Sequence, residues 1–450
     1  MIIERSLNLK TIFLGLIFGI LTIYAKGTMV MLGVILVTGI VLWNLLPKQD
    51  RKFLIILFSA GISLRAIIFL SFYLYSISHN GYGELVPDSR LYFLKTLLMM
   101  KQWVGQNNFQ QTVETGVGNS GNIYILAFFY KLIGYNPTTL TPMSLFSDKL
   151  INCLIGTISG IPIFYIAKNI FGKSVAKIAS ILVVFYPSLV LWSMTNNRDT
   201  PNIFLVCVIL FCLISSFKEK RMFNLAIIFI SLLCLGTIRA YILFCILWVV
   251  FISYLFFILS KTKNKIGIII LLLIPSIIFL NSTGYGKRLK SNFLNLNNIA
   301  LSLQTTNYGV LSQGGSVYRI YDDGLVSDGK ANKFILIKGF LKGWFYFMLV
   351  PFPWAVSSML QILSYPQALI WYFLLFFAVI GIIVAIRYGF ILSFVILSYI
   401  FIVTTGFAVI EGNIGSTLRH RDLITPFYFI FTSVGLVYVF KRGELVEEKE

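Results

Sequence analysis

The chain has 450 residues, of which 58% are hydrophobic and only 12% are charged, and its mean hydropathy is +0.86. Soluble domains are rarely more than half apolar, so this composition excludes an ordinary soluble enzyme. Most of the basic residues behind the formal net charge of +20 lie between apolar runs, as in the cytoplasmic loops of membrane proteins. We therefore expect no nucleic-acid partner.

The apolar runs recur along the whole chain and are long enough to cross a hydrocarbon core roughly 30 Å thick. They are continuous rather than alternating, which favours helices over a barrel. The sequence therefore predicts an all-α, polytopic bundle of about twelve transmembrane helices, at residues 11–25, 29–46, 53–76, 148–168, 174–192, 201–217, 222–237, 240–260, 264–281, 366–386, 389–409 and 423–440.

Basic clusters give this bundle an orientation. In a twelve-span arrangement they all fall on one side, which by the positive-inside rule is the cytoplasm. The clusters are Lys48/Arg51/Lys52, Lys168/Lys173, Lys218/Lys220/Arg221, Lys261/Lys263/Lys265, Arg387 and Lys441/Arg442. We expect a multi-pass protein of the cell (plasma) membrane with both termini in the cytoplasm.

The predicted spans divide the chain into four parts. These are two extra N-terminal spans (1–52), a transmembrane core with a large outer loop at 77–147 (53–281), an outer-face segment with an interfacial helix (282–365), and a three-span bundle with a short cytoplasmic tail (366–450). Within the first outer loop, apolar patterns too short to span predict two interfacial helices, at 89–104 and 122–134.

Ionisable residues at the outer ends of spans are the candidates for chemistry, because charges at a membrane are costly and are kept for function. Asp88 follows Pro87 at the start of a predicted helix, and Asp199 precedes Pro201 in the same way. For each, an N-cap and a functional carboxylate such as a general base are equally supported.

Cationic residues form the second set of candidates. Arg239 lies in the short outer turn "GTIRAYIL", where a snorkelling anchor and a ligand for a lipid phosphate are equally supported. The denser cluster Arg419, His420 and Arg421 in "STLRHRD" favours phosphate or pyrophosphate binding over a solvated anchor. Arg65 lies in mid-span, and the sequence does not identify its partner.

Other motifs are weaker. Asp322 and Asp323 in "YDDG" fit a turn better than a cation site. Walker A, GxGxxG and zinc-ligand spacings are missing from the sequence, which argues against a cytosolic nucleotide substrate and leads us to expect no metal ligands.

The order of these features resembles the GT-C superfamily of integral-membrane glycosyltransferases. "VPDSRLYFLK" is similar to that family's first-loop Asp-x-x-x-Tyr arrangement (Asp88, Tyr92), and "SMTNNRDTPNIFL" matches the place of a second acidic residue. "TIRAY" is similar to the "LRPY" turn, and "RHRDLITPFYF" to a late arginine-rich span entrance. The pattern resembles most the family-39-like transferases, which include protein O-mannosyltransferases and lipid A-modifying transferases.

The resemblance implies transfer of a sugar from a polyprenyl-phosphate donor, held among membrane lipids, to a lipid, glycan or protein acceptor on the outer face. It further implies direct displacement with inversion, and a divalent cation is the one cofactor that it leaves open. It assigns catalysis to Asp88 and Asp199, and binding of substrate and phosphate to Tyr92, Arg198, Arg239, Tyr241, Arg419, His420 and Arg421.

Two alternatives remain open beside this leading hypothesis. A surface-polysaccharide polymerase or ligase also has many spans and outer arginines. A flippase or transporter for lipid-linked oligosaccharides would share the span number, but transporters usually contain internal repeats and broken helices at the midplane. The sequence has no half-to-half similarity, and its polar residues cluster at one face.

Overall fold

A computed structural model describes residues 26–78, 87–103, 120–132, 144–219, 222–262, 295–312, 316–327, 329–352, 354 and 359–441. Within these ranges nearly every residue is helical, and the sheet is limited to a short antiparallel hairpin. The predicted all-α class is confirmed.

The described elements are numbered in chain order. In order they are α1 (Lys26–Leu45), α2 (Lys48–Ser78), α3 (Pro87–Trp103), α4 (Gly121–Leu132), α5 (Ser144–Ile158), α6 (Gly160–Phe171), α7 (Lys173–Phe185), α8 (Pro187–Ser193), α9 (Asp199–Lys218), α10 (Met222–Ile238), α11 (Ala240–Lys261), α12 (Leu296–Ser312), β1 (Val326–Ser327), β2 (Lys330–Ala331), α13 (Lys333–Leu349), α14 (Met359–Ala408), α15 (Ile414–Arg421) and α16 (Thr425–Phe440).

Six straight segments of the described chain are long and apolar enough to cross a membrane, and two bent pairs raise the number to eight. The pairs are α7 with α8, bent by 52°, and α15 with α16, bent by 64°. The straight segments are Lys48–Ser76, Lys149–Phe171, Asp199–Lys218, Ala240–Lys261, Ser364–Tyr388 and Phe390–Ala408. All eight coincide with predicted spans.

The other four predicted spans do not coincide with any of these eight segments. Those at 29–46 and 222–237 coincide with the shorter apolar helices α1 and α10. Those at 11–25 and 264–281 lie outside the described residues. The structure therefore supports six to eight spans in the described chain, beside the twelve predicted for the whole sequence.

Helix α14 is a single helical stretch of 50 residues, but its contacts require it to double back. Gly435 of α16 lies against the carbonyl of Phe377, and Thr432 donates to the carbonyl of Leu374, so α16 runs in the same direction as this part of α14. A straight helix would carry Tyr399 about 33 Å beyond Phe377. Its hydroxyl instead donates to Leu423, just before α16 begins. The stretch thus holds two spans, as predicted.

The described helices form two compact units. Unit 1 comprises Met1–Pro162, Val183–Cys207 and Ile230–Ala240, and unit 2 comprises Ile163–Leu182, Val208–Phe229 and Tyr241–Glu450. In unit 1, α2, α5 and α8 share an apolar core that includes Phe58, Phe69, Cys153, Val190 and Met194.

The helices predicted in the first outer loop are present as α3 and α4, which pack against each other. Phe93 and Tyr130 meet with ring centroids 6.1 Å apart at the centre of a shared apolar cluster. Leu91 and Leu94 of α3 remain exposed. An outward apolar edge is what a helix at a membrane interface requires.

The outer-face segment of unit 2 has a small core of its own around Ala300, Ile320, Tyr321 and Leu325. Helix α13 lies over this core and ends just before Pro351. Its large apolar side chains that remain exposed are Phe334, Ile337, Leu341 and Phe345.

Candidate active site

The site in unit 1 is built around a buried polar turn, residues 194–198, that joins α8 to α9. The span bends between α7 and α8, because Pro187 at the start of α8 cannot continue the hydrogen bonds of α7. The polar turn follows where α8 ends at Ser193. Thr195, Asn196 and Asn197 are fully buried. A buried turn must satisfy its backbone polar groups with side chains, since water does not reach them.

Side chains from three neighbouring helices hold this turn. Asn152 of α5 donates its amide to Thr195 O at 2.6 Å and to Asn197 O at 3.3 Å. Asn122 of α4 donates to Asn196 O at 2.9 Å. The polar turn is therefore fixed by residues far away in the sequence.

Ser89 of α3 provides a further contact, since its hydroxyl accepts the N–H of Asn196 at 3.0 Å. Asp88 directly precedes Ser89 in the chain and lies in the first turn of α3, although its side chain is outside the described residues. The N-terminus of α3 therefore lies against the polar turn. Tyr92, one helical turn after Asp88, is half-buried on α3.

Asp199 begins α9 and is ion-paired with Arg239, which follows α10. One terminal nitrogen of Arg239 donates to Oδ1 of Asp199, and each side chain is only 1% exposed. This burial excludes the snorkelling alternative for Arg239. A carboxylate in the first turn of a helix is also stabilised by the helix dipole. Arg198 lies next to the pair in the chain and is half-buried.

Arg65, whose partner the sequence did not identify, reaches the start of the polar turn. Its Nε donates to the hydroxyl of Ser193 at 2.8 Å, and a terminal nitrogen donates to Gly61 O at 3.2 Å. No carboxylate among the described residues forms an ion pair with it. Arg65 therefore ties the middle of α2 to the last residue of α8 through neutral partners.

The remaining predicted residues lie in unit 2, and two of them contact Phe407. The ring of His420 stacks on Phe407 with centroids 4.4 Å apart, and Tyr241 of α11 contacts the same ring at 5.9 Å. Nδ1 of His420 is hydrogen-bonded to Glu411, and the carboxylate of Glu411 also accepts the hydroxyl of Ser416. The sequence analysis missed Glu411, because nothing in the chain pattern couples it to His420.

The two arginines of α15 differ in their surroundings. Arg421 is buried and donates to two backbone carbonyls at the C-terminal end of α13, Met348 O at 2.6 Å and Val350 O at 2.8 Å. Its guanidinium also lies 5.1 Å from the ring centroid of Trp371. Arg419 is half-exposed on the same helix. The phosphate contacts assigned to both residues stay predictions.

The two aspartates of "YDDG" have cationic partners on the surface of unit 2. Asp322 pairs with Lys338 at 2.6 Å, which lowers the pKa of that carboxyl, and Asp323 pairs with Arg319 at 2.7 Å. Across the residues that the structure describes, no three His, Cys, Asp or Glu side chains gather as metal ligands would.

Comparison with known proteins gives one family. The model of the dolichyl-phosphate-mannose-protein mannosyltransferase family matches residues 123–281. This segment contains the polar turn, Asp199 and Arg239. No curated protein matches the chain. The family match implies glycosyltransferase activity, and it confirms that the chain resembles the membrane glycosyltransferases of the GT-C superfamily.

Proposed function

We propose that the chain transfers a sugar from a polyprenyl-phosphate donor to a hydroxyl group of an acceptor on the outer face of the membrane. The observation that carries this proposal is the family match over a segment that contains the buried ion pair of Asp199 with Arg239. The hydrogen bond between Ser89 and Asn196 supports it, because it brings the N-terminus of α3, where Asp88 lies, to the same polar turn.

The proposed reaction assigns the proton to Asp88. The acceptor oxygen attacks the anomeric carbon of the donor sugar, its proton passes to the Asp88 carboxylate, and the bond between that carbon and the phosphate oxygen breaks. The charge of Asp199 is already neutralised by Arg239. We therefore assign Asp199 to holding the site together and Asp88 to proton transfer. A single displacement of this kind inverts the anomeric centre.

The departing lipid phosphate needs cationic partners. In unit 1, we assign the phosphate to Arg198, which directly precedes Asp199 in the chain and is half-buried. The roles of Tyr241, Arg419, His420 and Arg421, in unit 2, stay predictions of substrate and phosphate binding.

The test is sugar transfer in membranes that contain the chain and a radiolabelled polyprenyl-phosphate mannose. Asp88→Asn should lower the rate on the order of a hundredfold or more, the usual loss for a missing general base, with unchanged expression. Asp323→Asn is the matched control, because Asp323 is an exposed carboxylate with an arginine partner, and it should keep full activity.

Undiminished transfer by Asp88→Asn would remove this residue from the mechanism. Movement of the labelled lipid across the membrane without cleavage of its sugar would instead support the flippase alternative. The same radiolabel reports both outcomes, because it is found on the acceptor after transfer and on intact lipid after movement alone.

A further inference from the structure

Two asparagines close to Asp199 in the chain carry buried side chains whose polar atoms have no hydrogen-bond partner among the described residues. Asn197 and Asn202 are both 0% exposed. In the part of the chain that the structure describes, neither the Oδ1 nor the Nδ2 atom of either residue finds a partner. Asn122 and Asn152, which are equally buried, use their amides to hold the polar turn.

Such an arrangement is rare for a structural residue. About nine-tenths or more of buried polar groups in proteins are hydrogen-bonded, and a buried amide with neither donor nor acceptor satisfied is unfavourable. Two such amides lie within six residues of chain, which indicates that a bound ligand supplies hydrogen-bond partners to both. Arg65 shows the contrast, since it is buried in the same unit but finds Ser193 and Gly61.

The position of these amides identifies the site that they serve. Asn202 is three residues after Asp199 in α9, so the two side chains lie on the same face of that helix. Asn197 is two residues before Asp199, and its backbone is fixed by the amide of Asn152. The side-chain amide of Asn197 is therefore not used to hold the turn and is available to bind a ligand. Asn202 thus lies beside Asp199 on α9, and Asn197 lies in the buried turn that leads into the same helix.

The chemistry of the amides selects the ligand. A carboxamide is neutral and both donates and accepts hydrogen bonds, as do the hydroxyl groups of a sugar. A phosphate only accepts, and the guanidinium groups nearby suit it better. We infer that Asn197 and Asn202 bind the hydroxyl groups of the sugar carried by the lipid donor. This assignment rests on the proposed function and names the part of the donor that the polar turn recognises.

The test compares two probes on the purified full chain in detergent, polyprenyl-phosphate mannose and the same polyprenyl phosphate without sugar. The wild-type chain should bind the mannosylated lipid more tightly. Asn202→Leu and Asn197→Leu, which keep the side-chain size, should each weaken its binding about tenfold and leave binding of the sugar-free lipid unchanged. Asn44→Leu, an exposed asparagine on α1, should change neither.

Thermal unfolding without ligand separates this role from a structural one. Because the two amides are unsatisfied in the free protein, Asn197→Leu and Asn202→Leu should unfold at or above the wild-type midpoint. Asn152→Leu removes two bonds to the polar turn and should unfold earlier. Midpoints for Asn197→Leu and Asn202→Leu as low as that of Asn152→Leu would overturn the inference and make both amides structural, with water as their partner.

The binding data distinguish the remaining failures. If the leucine variants keep the full preference for the mannosylated lipid, the amides do not bind the sugar, while the proposed function stands. If the wild-type chain binds neither lipid and transfers no sugar, the proposed function is wrong and this inference falls with it.

Discussion

Asp199 and Arg239 neutralise each other although 40 residues separate them in the chain. From the sequence, each residue had a structural explanation that needed no partner: Asp199 could cap a helix, and Arg239 could anchor a span at the headgroups. Residue patterns give no distances between separate helices, so the pair could not be predicted. The same reason explains why Asn197, Asn202 and Glu411 were missed, whereas Asp199 and Arg239 were found individually from their places at span ends.

The buried pair gives a prediction about stability. Arg239→Met leaves the Asp199 carboxylate buried without its partner, which typically costs about 3–5 kcal/mol. We expect a clear fall in the thermal unfolding midpoint of the purified chain. The double variant Asp199→Asn/Arg239→Met removes both charges and should recover much of that loss while staying inactive.

The exposed pair of Arg319 with Asp323 is the control for this measurement. Exposed ion pairs contribute at most about 1 kcal/mol, so Asp323→Asn should leave the midpoint nearly unchanged. Equal effects of Arg239→Met and Asp323→Asn would show that the Asp199–Arg239 pair is not buried in the membrane-embedded protein. A double variant with full activity would remove the pair from the site.

At the scale of the elements, the apolar runs were sufficient to locate helices, because a bilayer demands about 20 apolar residues wherever a helix crosses. The bend between α7 and α8 is caused by Pro187, which is visible in the sequence. The hydrogen bonds that hold the polar turn, in contrast, come from Ser89, Asn122 and Asn152 on three other helices. Polar residues in such helices have no period that would mark them as a group.

Close packing between α14 and α16 depends on glycine. A Cβ atom at Gly381 would lie 1.8 Å from the backbone oxygen of Phe431, and backbone atoms cannot rotate away. Gly381→Ala should force the two helices apart at a cost of about 1–3 kcal/mol, seen as a lower thermal midpoint and lower yield of folded protein in detergent.

Gly406→Ala in the same helix is the matched control, because nothing lies within 4 Å of its added Cβ. Alanine favours a helix over glycine by about 1 kcal/mol, so this variant should be as stable as the wild type or slightly more stable. If Gly381→Ala behaves like Gly406→Ala, the close approach of α14 and α16 is wrong.

At the scale of the whole molecule, the orientation of the chain across the membrane is predicted from the basic clusters of the sequence. Between Lys52 and the hairpin residue Ser327, seven predicted spans intervene, so the two residues should lie on opposite sides of the membrane. One of the seven, 264–281, is outside the described residues, and another, α10, has only 17 residues. If one of them failed to cross, an even number would place both residues on the same side.

Cysteine labelling in intact cells decides between these topologies. Both Lys52 and Ser327 are exposed, so Lys52→Cys and Ser327→Cys should leave the fold intact. A membrane-impermeant maleimide should label Ser327→Cys in intact cells and Lys52→Cys only after permeabilisation, with the parent chain measuring the background of its five cysteines. Labelling of both from outside, or of neither, would contradict seven crossings. An outer face for Ser327 would place the segment that contains α12 and α13 on the side where we propose that the acceptor binds.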